Sequence, residues 1–90
     1  MARSRRVPTT IQKLLFRTDK WTPTTIRLWV ARQPASRRFT ATKIEEKPID
    51  YHVRQRDPEN FVPGSYRTIP LGKNTGILAV IGHLRPGLRG

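Results

Sequence analysis

Ninety residues with a formal net charge of +12 leave room for one domain built on a single small core. The chain has no cysteine, which excludes disulfides, thiol nucleophiles and cysteine-ligated zinc modules. The longest apolar run, GILAVIG at residues 76–82, is far short of the roughly 20 residues a membrane helix needs.

The charge is uneven. Residues 1–38 carry ten Lys/Arg and one acid, whereas residues 39–90 carry eight Lys/Arg and five acids, all between positions 45 and 59. A chain that is basic, then near neutral, then basic again predicts a folded centre with cationic ends. The usual target of such ends is phosphate.

In chain order, residues 1–10 (MARSRRVPTT) hold three arginines and a proline without apolar periodicity, which predicts a flexible basic arm. No apolar segment follows it, so a secretory signal is not expected. Residues 11–18 (IQKLLFRT) fit a short helix or a first strand equally well. The next signal is clearer: Thr22 as N-cap, Pro23 at the first helical position and Pro34 as the stop predict a helix. On it Ile26, Trp29, Val30 and Gln33 share one face, and Arg27 and Arg32 point away.

Residues 37–47 (RRFTATKIEEK) read as extended. Residues 49–56 alternate, with Ile49, Tyr51, Val53 and Gln55 facing one side and Asp50, His52, Arg54 and Arg56 the other. Asp57-Pro58 and Pro63-Gly64 are turn signals, with Phe61 between them as a plug over one end of the sheet. Asp57 has two candidate partners, Arg56 beside it and Arg67 on the returning strand. YRTIPL reads as an edge strand because of Pro70, GKNTG as a hairpin loop, and ILAVIGHL as an interior strand. The expected class is therefore α+β. One amphipathic helix packs on an antiparallel sheet of three to four strands, with a domain at 11–85 and basic tails at 1–10 and 86–90.

The chemistry-bearing residues argue against an enzyme. His52 and His83 are the two histidines, and no spacing supplies either with a nucleophile or an orienting acid. No Cys/His/carboxylate cluster suits a metal, and LGKNTG lacks both the spacing and the following helix of a phosphate-binding loop. With a core this small, Trp29, Phe39, Tyr51 and Phe61 belong inside, leaving Trp21 and Tyr66 as the exposed aromatics. Nucleic-acid binding would then rest on phosphates, steep in salt and weak in sequence preference. The candidate contacts are Arg3, Arg5 and Arg6 in the arm, Arg27, Arg32, Arg37 and Arg38 around the helix, and Arg54, Arg56 and Arg67 on the sheet.

The blocks KWTPTTIRLWV and YHVRQRDPENF…GSYRTIPLG…GILAVIGHLRPG, within residues 20–87, resemble a small family associated with phages and prophage-bearing prokaryotic genomes. The resemblance implies a compact fold and a viral or mobile-element context, and it brings no catalytic residues to this chain. The reading that follows is a non-enzymatic, sequence-tolerant binder of DNA or RNA, in the host cytoplasm or the virion. No cofactor, membrane or small-molecule substrate is expected. A structural or assembly component of a virion or large nucleoprotein particle, in contact with other protein chains, is the second reading. The third is an inhibitor that docks a basic face on an acidic protein.

Overall fold

The chain alternates strands with a helix in the computed structural model, which is described here over residues 9–86. In order, the elements are β1 (Thr9–Arg17), α1 (Pro23–Arg32), β2 (Ile44–Glu46), β3 (Asp50–Arg54), β4 (Arg67–Pro70) and β5 (Ile77–His83), with 3-10 turns at Ala35–Arg37 and Pro58–Asn60. The strands form one antiparallel sheet of order β2-β3-β1-β5-β4. The class is α+β as expected, but the described residues hold five strands rather than three to four.

The additional strand is β1, and it lies at the centre. Its Leu-Leu-Phe run satisfies a helical or a strand period locally, so the choice is made by tertiary pairing. β3 and β5 hydrogen-bond its two edges. Gln12, Leu14 and Phe16 then face inward at every second position. Thr9 and Thr10, expected in the arm, are the first residues of this strand. Residues 1–8, with Arg3, Arg5 and Arg6, and residues 87–90 of the basic tail lie outside the described part of the chain.

The helix is set by its cap. Thr22 Oγ1 accepts from the Thr25 amide while Thr25 Oγ1 accepts from the Thr22 amide, and Pro23 occupies the first turn. One face of α1 covers one face of the sheet. Ile26 is fully buried against Leu14, Phe16, Val53, Ile77 and Ala79, with Trp29 and Val30 packed beside them. Trp21 is not an exposed aromatic as expected. It packs edge-on to Phe16 at 5.1 Å, and its Nε1 donates to the Thr75 carbonyl at 2.8 Å, pinning the β4–β5 loop.

On the opposite sheet face, Phe61 acts as the expected plug. It is 1% exposed, bridges to Leu84 and lies 5.5 Å from Tyr66, and the two rings close over Gly82. A β-carbon on Gly82 would come within 2.9 Å of the Phe61 ring, so the strand needs glycine at this close approach.

Candidate nucleic-acid interface

Strand register decides where the basic residues go. Lys13 is paired with Arg54, and Leu15 with His52, which faces Glu45 in turn. These residues alternate with buried Leu14 and Val53, so they lie on the face away from α1. Arg67 is paired with Ile81, which packs on the core, so it starts from the helix-bearing face of the far edge strand. Three strand spacings, roughly 14 Å, separate β3 from β4. Arg54 and Arg67 therefore do not share a patch.

Arg56 breaks the alternation expected for it. β1 carries a bulge between Ile11 and Lys13, and the extra residue is Gln12. Its carbonyl accepts both the Gln55 amide at 2.8 Å and the Arg56 amide at 3.1 Å. Its buried side chain donates to the Arg56 carbonyl at 3.0 Å. The chain turns there, and Arg56 lines a groove of about 370 Å³ together with Arg37, Arg38, Phe39, Ser36 and Thr10.

The other wall of this groove is fastened by Gln55. Its amide mimics a strand partner for Thr40, accepting from the Thr40 amide and donating to the Thr40 carbonyl, both at 2.8 Å. Phe39 stacks on Trp29 at 5.7 Å, and the Arg37 guanidinium lies over the Phe39 ring at 5.5 Å while donating to Gln33 Oε1. Arg38 caps the 3-10 turn in a left-handed conformation, φ 55° and ψ 34°. The stretch around Arg37 and Arg38 is thus a turn rather than extended, and regular pairing begins only at Ile44.

Two further clefts continue from the groove around the end of β3. Arg56, Arg54, Lys43 and Asp57 line one of about 340 Å³. Arg54, Lys43, Lys13, His52, Glu45 and Gln12 line another of about 160 Å³ on the open face. Together they make a continuous belt of Arg37, Arg38, Arg56, Lys43, Arg54 and Lys13. The ion pairs among the described residues are Arg17–Asp19, His52–Asp50 and Arg54–Asp57, so Arg54 alone in the belt has a carboxylate partner. Asp57 forms no ion pair with Arg56 or Arg67. Its 3.3 Å contact to Arg54 is with side chains 52% and 69% exposed, which makes it a weak pair. Nor does the Asp57 carboxylate cap the following turn, which its backbone carbonyl closes through the Asn60 amide.

His52 sits between Lys13 Nζ at 3.3 Å from Nδ1 and Asp50 Oδ1 at 3.4 Å from Nε2. An acid thus does lie beside this histidine, contrary to expectation. It comes from two positions earlier on the same strand face. The residues lining its cleft include no hydroxyl or thiol, and most of what they offer is positive charge. No group of three or more His, Cys, Asp or Glu side chains is placed to hold a metal ion among the described residues. No helix among them is long and apolar enough to cross a membrane.

Of the predicted contacts, Arg37, Arg38, Arg54 and Arg56 come together. Arg27 and Arg32 are exposed on α1 and Arg67 lies on the far edge, none of them lining these clefts. Lys13 and Lys43 were missed. The signal for Lys13 was its place between inward-facing Gln12 and Leu14, legible once β1 is taken as a strand. No protein-family model matches the chain, no curated protein matches its sequence, and no solved structure matches its fold.

Proposed function

We propose that the protein binds nucleic acid through its phosphates, without catalysis and with little sequence preference. One observation carries the reading: five of the six belt cations have no carboxylate partner among the described residues. Guanidinium and ammonium groups held in a row across adjoining clefts are matched by a string of phosphates about as well as by any common anion. Arg27 and Arg32 on α1 and Arg3, Arg5 and Arg6 in the N-terminal segment add contacts of the same kind. Flat base-reading geometry is not what these residues offer along most of the belt, hence the weak sequence preference. The family resemblance adds a phage or mobile-element context, with the host cytoplasm or the virion as the place of action.

The test is a titration of the full chain with a short duplex and a single strand at several salt concentrations. Binding in the micromolar range or tighter at low salt, weakening steeply with salt for unrelated sequences, supports the reading. No affinity at low salt overturns it. A large oligomer without affinity favours the assembly reading, and capture by an acidic protein without nucleic-acid affinity favours the inhibitor reading.

A further inference from the structure

We propose that the groove of Arg37, Arg38, Phe39 and Arg56 seats one unpaired nucleotide, so that the preferred ligand is single-stranded nucleic acid. The phosphate lies between the Arg38 and Arg56 guanidiniums, and the base lies on the Arg37 guanidinium above Phe39. This rests on the phosphate-binding reading above and adds to it the strandedness of the ligand.

The groove differs from the rest of the belt in two ways. Its Phe39 ring is stacked on Trp29 behind it at 5.7 Å and 17°, and the Arg37 guanidinium lies over the Phe39 ring at 5.5 Å. A base is the flat group that extends such a stack, and guanidinium planes accept bases as aromatic rings do. No carboxylate lines the groove, and neither Arg38 nor Arg56 has an ion-pair partner among the described residues. Its volume of about 370 Å³ lies at the low end of the roughly 300–1,000 Å³ of small-ligand sites, the scale of one nucleotide rather than of a duplex. Duplex bases are already stacked on each other, so a duplex presents only its backbone to such a groove.

The groove is also held in shape before any ligand arrives. Gln12 fixes the chain at Arg56, and Gln55 fixes it at Thr40 beside Phe39. Rigid walls lower the ordering cost of binding.

The experiment compares equal-length DNA and RNA single strands and the corresponding duplex at one salt concentration, for the wild-type chain and Arg37→Lys. The substitution keeps the charge and removes the flat group. A loss of about fivefold or more for the single strands, with the duplex within twofold, is the expected result given the usual worth of base stacking. A fluorescent adenine analogue quenched by stacking, placed in the single strand, should lose emission on binding wild type and less on binding the variant. Equal effects on single strand and duplex, or none on either, overturn this inference while leaving phosphate binding intact. Absence of binding by wild type to all ligands overturns the broader reading as well.

Discussion

Arg38 occupies the left-handed region at φ 55°, which costs a residue with a β-carbon about 1–2 kcal/mol. Replacing it with glycine relieves that strain, although glycine loses more freedom on folding. Arg38→Gly should therefore raise stability by a few tenths to about 1 kcal/mol in a urea melt, while weakening single-strand binding several-fold. A variant that is stabilised and binds as before would remove Arg38 from the site. Gln12 acts differently, since it touches the Arg56 backbone rather than the groove. Gln12→Ala takes the side-chain donor away from the Arg56 carbonyl, and should cost about 1–3 kcal/mol along with part of the affinity. At Gly82, alanine would press on Phe61 and Tyr66, and a loss of about 1–3 kcal/mol in thermal or urea unfolding is expected. The direction of Arg54 was legible from strand alternation. The direction of Arg56 was not, because it depends on a bulge in a strand more than forty residues away.

Among the elements, the helix was the most legible, since its cap, its first-turn proline and its stop are all local signals. Thr22→Ala removes the hydroxyl that accepts from the Thr25 amide, leaving the Thr22 amide bonded to Thr25 Oγ1, and should cost about 1 kcal/mol, read by circular dichroism during denaturation. The turns were legible for the same reason: Gly72, Asn74 and Gly76 all hold positive φ in the β4–β5 loop, as turn residues do. β1 was not legible as a strand. Nine residues with three consecutive apolar side chains carry no local preference strong enough to decide, and the answer comes from β3 and β5 on either side. Its centrality explains why Lys13 was overlooked and why Lys13 meets His52 and Arg54 across the sheet. The Phe61 plug joins the end of β5 to the turn after β3. Phe61→Ala should cost about 3–5 kcal/mol, enough to threaten a domain of this size.

For the whole molecule, a charge of +12 opposes folding by self-repulsion, and acids elsewhere in the described fold do little to offset it in the belt. The composition led to the expectation of a polyanion as partner. It did not say which of the arginines lie together, because that depends on strand order and on two glutamines, Gln12 and Gln55, that fix the chain just after β3. Asp57 is the one acid paired with a belt cation, so Asp57→Asn should tighten nucleic-acid binding at low salt while changing stability by less than about 0.5 kcal/mol. The most direct measurement is the salt dependence of binding for wild type and the double variant Lys43→Gln/Arg56→Gln. With four to six phosphates engaged, the slope of log K against log salt should be roughly −3 to −5 and should fall by roughly 1.4–1.8 in the variant. A wild-type protein without affinity at low salt, or a slope the two substitutions leave unchanged, would contradict the belt as the binding surface.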